Sequence, residues 1–207
     1  MHTTKKGLRL YIAQKDKKMN FTNDIETYYK ELKATIDKFD VTELDKVMNV
    51  LYDAYENEAT IYTCGNGGSA STASHMMNDF NKGISYDLEK KWHITCLNDN
   101  IATIMAIAND DSYDKVFSKQ LEGNIKKGDV LLAISGSGNS ANIIEAVNEA
   151  KKAGATVIGM TGYTGGKLYE MSHVHMHVDI NDMQITEDLH LTFNHMMMRI
   201  FSRLQNK

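Results

Sequence analysis

Four side chains that could carry out acid–base or metal chemistry fall on two stretches of helical pattern. His75 and Asp79 are four residues apart, so on a helix they share one face and point to one place. Glu187 and His195 are eight apart, about two turns, and share a face in the same way. Two imidazoles and two carboxylates can bind a divalent metal such as zinc. The spacing therefore predicts one metal site formed by all four residues.

Each of these residues also has an ordinary structural explanation. An aspartate four residues after a histidine is a common surface pair, and a single helical histidine is usually packed or solvated. His190 lies five residues before His195, on a different face, and we interpret it as structural. His173, His175 and His177 alternate along a strand and share one face, where a second metal site is the less favoured alternative.

Two loops rich in glycine and serine each follow a β-like run. The first contains Asn66, Gly67, Gly68 and Ser69, and the second runs over residues 135–140. Glycine allows the backbone to approach a ligand, and helix N-termini bind anions through unpaired N–H groups. Both loops therefore predict phosphate binding.

The second loop places the hydroxyls of Ser135, Ser137 and Ser140 around Gly136, where they can donate to phosphate oxygens. A purely structural alternative is that Ser69 and Ser140 cap the helices that follow them. Neither loop matches the dinucleotide pattern G-x-G-x-x-G or the Walker pattern that ends in Gly-Lys-Ser/Thr. Nicotinamide and ATP chemistry are disfavoured for this reason.

Strands that alternate with helices position these groups. Apolar periodicity predicts helices over residues 24–39, 43–55, 70–82, 100–108, 113–125, 141–150 and 186–204, and strands over 60–64, 93–97, 130–134, 156–160 and 174–180. This alternation predicts an α/β fold with a doubly wound parallel sheet.

Composition limits the classes of partner. The 207 residues, 42% of them hydrophobic, fit one domain over residues 19–207, preceded by a basic, disordered extension over 1–18. A net charge of −4 does not indicate the basic surface that nucleic-acid-binding proteins usually carry. No apolar run is long enough to span a bilayer. Cys64 and Cys96 sit in apolar runs, as expected of buried, reduced thiols in a cytoplasmic protein.

Taken in order, the motifs resemble the sugar isomerase (SIS) domain family, and within it the sedoheptulose 7-phosphate isomerases. Residues 64–69, 108–110, 128–142, 160–167 and 187–195 carry the resemblance. It implies a three-layer α/β/α sandwich with a five-stranded parallel sheet of flavodoxin-like type. It also implies a homotetramer in which the N-terminal helices pack together and the active sites are shared between subunits.

The resemblance further implies aldose–ketose isomerisation of a sugar phosphate, with one Zn²⁺ per subunit. Asp79 takes the position of the base that removes the proton beside the carbonyl, and His195 that of the second acid/base. The implied contacts to sugar or phosphate are Asn66, Gly67, Gly68, Ser69, Asn109, Asp110, Ser135, Gly136, Ser137, Ser140 and Glu187.

Three positions depart from the usual pattern of these isomerases. Asp79 stands where glutamate is usual, Glu187 where glutamine is usual, and Gly136 where threonine is common. Two other functions remain as alternatives. One is a non-catalytic SIS protein that assists a replication initiator or senses sugar phosphates, although retention of His195 argues against the former. The other is a metal-free isomerase.

Overall fold

A computed structural model describes residues 19–205, and the predicted basic extension over residues 1–18 lies outside this range. The backbone divides after Asp37 into two compact units. The described part of the first unit contains helix α1 (Thr22–Ile36). The predicted single domain over 19–207 stays a prediction. Every predicted site residue belongs to the second unit.

A parallel sheet of five strands forms the centre of the second unit, as predicted. The strands are β1 (Ile61–Cys64), β2 (Ile94–Cys96), β3 (Val130–Ser135), β4 (Thr156–Thr161) and β5 (Val174–His177), in the order β2-β1-β3-β4-β5. Every residue of β3 is buried, because this central strand pairs on both edges and is covered on both faces.

Helices flank the sheet and connect its strands. They are α2 (Val41–Glu56), α3 (Gly68–Asn78), α4 (Ile101–Asp110), α5 (Ser118–Leu121), α6 (Ala141–Lys152), α7 (Gly166–Met171) and α8 (Met183–Gln205). Helix α6 buries its predicted apolar face, for example Ile143 and Val147, in the hydrophobic core. None of the described helices combines the length and apolar character needed to cross a membrane. The expected cytoplasmic location stays a prediction.

Both cysteines are buried and carry free thiols, as predicted. Burial raises the pKa of the Cys64 thiol far above its ordinary value. Burial likewise raises the pKa of Cys96 to about 11. Both side chains are therefore neutral, small apolar groups at neutral pH.

The predicted helix over residues 70–82 changes type partway along. Helix α3 ends at Asn78, and a π-helical turn (Asp79–Ile84) continues it. The side chain of Asn81 anchors this turn to β2, because it donates to the Ile94 carbonyl at 2.7 Å and accepts from the Ile94 N–H at 3.0 Å. Phe80 packs edge-on against Trp92, with ring centroids 4.9 Å apart. The turn is thus held by contacts distant in sequence.

The other predicted elements that are shorter in the structure include the helix over 113–125 and the strand over 174–180, and α7 was not predicted. The helix expected over 113–125 is a 3₁₀ turn (Tyr113–Lys115) followed by α5 alone. The backbone leaves the helix at Glu122, and Gly123 follows with φ +76°, a conformation typical of helix ends. The strand expected over 174–180 ends at His177, because its partner β4 ends at the paired residue Thr161.

Candidate active site

The strand order creates a crevice at the carboxyl end of the sheet. Strands β1 and β3 are neighbours, but the chain proceeds from β1 to β2 on one side and from β3 to β4 on the other. The loops after β1 and β3 therefore diverge, and ligands of such sheets bind at this switch point. Both predicted phosphate loops follow these two strands.

A pocket of about 160 Å³, the serine pocket, lies between the two loops. It is lined by Asn66, Ser69, Ile134, Ser135, Gly136, Ser137, Ser140, Met183 and Glu187. The structure thus brings together most of the predicted phosphate and sugar contacts. The hydroxyls of Ser135 and Ser140 lie 3.2 Å apart, so both face the same small volume.

The helix-capping explanation is wrong for Ser69, and for Ser140 it holds by position but not by side-chain hydrogen bonding. The N-cap of α3 is Gly67, whose φ of +54° favours glycine, and Ser69 lies inside the helix. Ser140 is at the N-cap position of α6, but its side chain makes no capping hydrogen bond and contacts Ser135 instead. Both serines therefore line the serine pocket, and neither hydroxyl makes a capping hydrogen bond to its helix.

The segment after β4 supports the serine loop, residues 135–140. The N–H of Gly162 donates to the Gly136 carbonyl at 2.8 Å, and the N–H of Leu168 donates to the Gly138 carbonyl at 2.9 Å. A Cβ atom at Gly138 would overlap the Gly165 carbonyl. The shape of the serine loop therefore depends on glycine at this close approach and is fixed by backbone hydrogen bonds.

A polar network holds Asn66, which lines the serine pocket. The Asn66 and Asn142 side chains exchange two hydrogen bonds of 2.8 and 2.9 Å, and the Tyr113 hydroxyl donates to Asn66 Oδ1 at 2.9 Å. Sequence reasoning missed the roles of Asn142 and Tyr113. Asn109 and Asp110, two of the predicted contacts to sugar or phosphate, are exposed. Asn109 Nδ2 donates a hydrogen bond to Asp110 Oδ1 at 2.8 Å. Neither residue lines the serine pocket or the neighbouring pocket that His75 lines.

Three of the four predicted metal ligands converge. One ligand atom from each of His75, Asp79 and His195 lies within 4.8 Å of the others, and we call this group the His–Asp–His cluster. His75 Nε2 lies 3.3 Å from Asp79 Oδ2 and 3.4 Å from His195 Nε2, and His195 Nε2 lies 3.9 Å from Asp79 Oδ2. Donors about 2.0 Å from a tetrahedral zinc are separated by about 3.3 Å. The spacing of these atoms fits one divalent cation.

Glu187, the fourth predicted ligand, lies outside this cluster. Its carboxylate lies where a Cβ atom at Gly68 would be, at the first turn of α3. Residues eight apart on a helix are separated by about 12 Å along its axis, which separates Glu187 from His195. Metal ligation by Glu187 stays a prediction.

Glu187 forms a wall between two pockets. It lines the serine pocket and also a second pocket of about 260 Å³, the lateral pocket. The lateral pocket is lined by Gly68, Ser71, Thr72, His75, Glu187, Asp188 and Leu191. A ligand that extends from the serine hydroxyls towards His75 would therefore pass the Glu187 carboxylate.

A buried asparagine contacts the His–Asp–His cluster. Asn194 is fully buried, and its Nδ2 donates to Asp79 Oδ2 at 2.7 Å. Asp79 is itself only 6% exposed. Sequence reasoning missed Asn194, since an asparagine inside a helical pattern gives no signal of a partner 115 positions earlier.

His190 and His173 contact the backbone, and His190 was interpreted as structural from the sequence. His190 is fully buried with Nε2 3.2 Å from the Thr161 carbonyl, and burial lowers the pKa of its side chain to about 4. His173 Nδ1 accepts from the Val157 N–H at 2.8 Å. Among the described residues, ligand geometry for a metal occurs at the His–Asp–His cluster and not at the histidines of β5.

Comparison with known proteins agrees with the fold and identifies the family. The sequence profile of the SIS domain matches residues 27–162. Phosphoheptose isomerase of Aliarcobacter butzleri is 36% identical over 157 residues, 76% of this chain and 82% of the relative. A probable phosphoheptose isomerase of Thermoplasma acidophilum is 41% identical over 133 residues, 64% of this chain and 72% of the relative.

Solved structures show the same likeness. A phosphoheptose isomerase from Neisseria gonorrhoeae superposes with a TM-score of 0.81 and 29% identity, over 89% of this chain and 100% of the other. A second, from Francisella tularensis, gives a TM-score of 0.82 and 25% identity over the same shares. The chain therefore belongs to the SIS domain family. Within that family it is an isomerase.

Proposed function

We propose that this isomerase converts a ketose phosphate to an aldose phosphate, most specifically sedoheptulose 7-phosphate to D-glycero-D-manno-heptose 7-phosphate. The observation that carries the proposal is the position of Glu187 between an anion-compatible serine pocket and the pocket that His75 lines. The names of the relatives supply the seven-carbon substrate.

The phosphate would occupy the end of the serine pocket nearest Ser135 and Ser140. Hydroxyl groups and the backbone N–H groups at the start of α6 can donate to its oxygens there. Glu187 is the acidic residue among those that line this pocket. Because two anions repel at short range, the neutral sugar chain rather than the phosphate would lie beside Glu187.

Proton transfer requires one base, one acid partner and stabilisation of a developing oxyanion. The base takes a proton from the hydroxyl-bearing carbon next to the carbonyl, which gives an enediol, and its return to the former carbonyl carbon gives the isomer. We assign the base to Asp79 and the second acid/base to His195. Asp79 Oδ2 and His195 Nε2 lie 3.9 Å apart, which supports joint action of the two side chains on one substrate; with these atoms on a metal, the proton would move at the other carboxylate oxygen and the other ring nitrogen.

His75, Asp79 and His195 would hold a divalent metal, with zinc as the proposed ion and one per subunit. The donor set of two imidazoles and a carboxylate is of the catalytic zinc type. Bound there, such an ion would polarise the substrate carbonyl and stabilise negative charge on its oxygen. Glu187 would complete the predicted four-ligand set only after its carboxylate left the space beside Gly68, so the three clustered residues are the core of the proposed site.

A homotetramer with shared active sites is part of the proposal. Helix α4 supports it, because this strongly apolar helix has no buried residue and exposes Ile101 and Met105. Exposed apolar surface of this kind is typical of interfaces. Light scattering of the purified protein would give four times the chain mass.

Deuterium exchange tests the proposed reaction directly. The purified protein is incubated with sedoheptulose 7-phosphate in D₂O, with added Zn²⁺ or with chelator, and the product is analysed by mass spectrometry. We expect a mass gain of about one unit, abolished in Asp79→Asn and His195→Asn. Unphosphorylated sedoheptulose serves as the substrate control.

The alternatives give different results in the same experiment. Exchange that persists after removal of all metal would favour the metal-free isomerase. Binding of the sugar phosphate without exchange under every metal condition would contradict the proposed reaction and favour a sensing or regulatory protein.

A further inference from the structure

We infer that Asn194 is a positioning residue that holds the Asp79 carboxylate against His75 and His195. The inference rests on the proposed function for its catalytic consequence. Its structural basis is the 2.7 Å hydrogen bond from Asn194 Nδ2 to Asp79 Oδ2, which joins α8 to the end of α3. The same oxygen atom is the one nearest both imidazoles of the cluster.

The length of the aspartate explains why such a bond is needed. His75 reaches the cluster from α3 and His195 from α8, so the carboxylate must lie between two helices. Aspartate has one methylene fewer than glutamate and only two side-chain torsions. An amide that donates from α8 fixes those torsions and directs Oδ2 towards both Nε2 atoms. Partners of this kind orient metal-binding carboxylates in proteins.

The chemistry of Asn194 indicates a role beyond packing. Its Oδ1 is buried and has no hydrogen-bond partner. A buried amide with an unmatched acceptor costs free energy, whereas an apolar side chain of similar shape would avoid that cost. Fold stability alone would therefore favour leucine at this position. Asn194 donates a hydrogen bond to Asp79, and leucine has no donor with which to do so.

The surroundings hold both partners of this bond in place. Asp79 begins the π-helical turn, and Phe80 in that turn contacts Phe201 of α8 with ring centroids 6.0 Å apart. A π-helical turn at a functional site is a known way to re-aim side chains. The helix positions are thus set by aromatic packing. The Asn194 bond then sets the position of one carboxylate within that frame.

The test compares Asn194→Leu with wild-type protein and with Met197→Leu, a buried control on the same helix. Three quantities are measured: the melting temperature, the dissociation constant for Zn²⁺ by competition with a chromophoric chelator, and the visible spectrum of the Co²⁺-loaded protein. Turnover of sedoheptulose 7-phosphate is then measured as kcat and KM separately.

We expect Asn194→Leu to melt at or above the wild-type temperature and to bind Zn²⁺ about 10- to 100-fold more weakly, with an altered Co²⁺ spectrum. Its kcat should fall while KM changes little, since the serine pocket is untouched. Asn194→Gln should not restore zinc affinity, because its longer side chain misplaces the donor. Met197→Leu should resemble wild type in all measurements.

Unchanged Zn²⁺ affinity and Co²⁺ spectrum in Asn194→Leu would overturn the inference, as would a failure of the wild type to bind either ion. A strong fall in melting temperature would show that Asn194 serves the fold and would also overturn it. If the wild type binds Zn²⁺ tightly but turns over no sugar phosphate, the proposed reaction fails while weaker binding by the variant still supports the role of Asn194.

Discussion

The Glu187 carboxylate occupies the space that a side chain at Gly68 would fill. A Cβ atom built on Gly68 would overlap Glu187 Oε2, and Oε1 would lie 2.5 Å away. Glycine at this position therefore allows a residue of α8 to approach the first turn of α3. The N-terminal end of a helix favours negative charge, so this approach also stabilises the carboxylate where it lines both pockets.

Gly68→Ala should displace Glu187 and impair the enzyme. The methyl group cannot share the space with the carboxylate, so Glu187 must leave the wall between the pockets. We expect kcat/KM for the sugar phosphate to fall about tenfold or more, which corresponds to about 1.4 kcal/mol. Steady-state kinetics of the purified variant provides the measurement.

A double-mutant cycle separates this cause from a general defect. In a Glu187→Ala background the conflict is absent, so adding Gly68→Ala should change kcat/KM little and should raise helix stability slightly. If the second substitution costs the same in both backgrounds, displacement of Glu187 is not the reason for the loss.

Ser137→Ala and Ser140→Ala should each weaken substrate binding. Loss of a hydroxyl that donates to phosphate removes a hydrogen bond to a charged group, worth about 1.5–3 kcal/mol. Because the phosphate is bound equally before and during the reaction, KM should rise about tenfold or more while kcat is retained. Ser118→Ala on α5 is the matched control. A KM equal to that of wild type in both variants would show that the phosphate binds elsewhere.

His190 should make the fold less stable in mild acid. Burial lowers the pKa of His190 to about 4, against an ordinary value near 6.5. Below about pH 6.5 the unfolded chain therefore takes up a proton that the folded chain does not, so stability falls as pH decreases. The loss reaches about 3 kcal/mol near pH 4 and then levels off.

His190→Gln tests this pH dependence because glutamine keeps a donor for the Thr161 carbonyl and does not titrate. The free energy of unfolding in urea, measured between pH 7 and pH 4.5, should fall less in the variant than in wild type. His93→Gln, at an exposed position, should follow the wild-type curve. Equal slopes for all three proteins would refute the assignment.

Local patterns predicted the sheet, the helices other than α7 and the two loops rich in glycine and serine, because burial on both faces and strand-to-helix turns determine the residue types found there. They also predicted His75 and Asp79 together, since helix α3 continues directly into the π-helical turn that begins at Asp79. The meeting of His195 with that pair was inferred from residue types, and the 3.4 Å contact between the imidazoles confirms it.

Features that depend on fit between distant segments could not be predicted. The π-helical turn exists because Asn81 bonds to the backbone of β2 and Phe80 enters an aromatic cluster, and neither contact has a periodic signature. The spacing of Glu187 and His195 predicts that they share one face of their helix. Two residues eight apart on that face are still separated by about 12 Å along the helix axis. The Glu187 carboxylate lies at the first turn of α3 because Gly68 has no side chain to occupy that space.

The serine loop acquires its shape when the chain folds, because the backbone of residues 162–168 clamps it through hydrogen bonds to Gly136 and Gly138. An anion bound there would therefore meet donors that are already arranged, and little free energy would be lost to ordering them. The arrangement of donors in the serine loop consequently does not depend on the side chains of the His–Asp–His cluster.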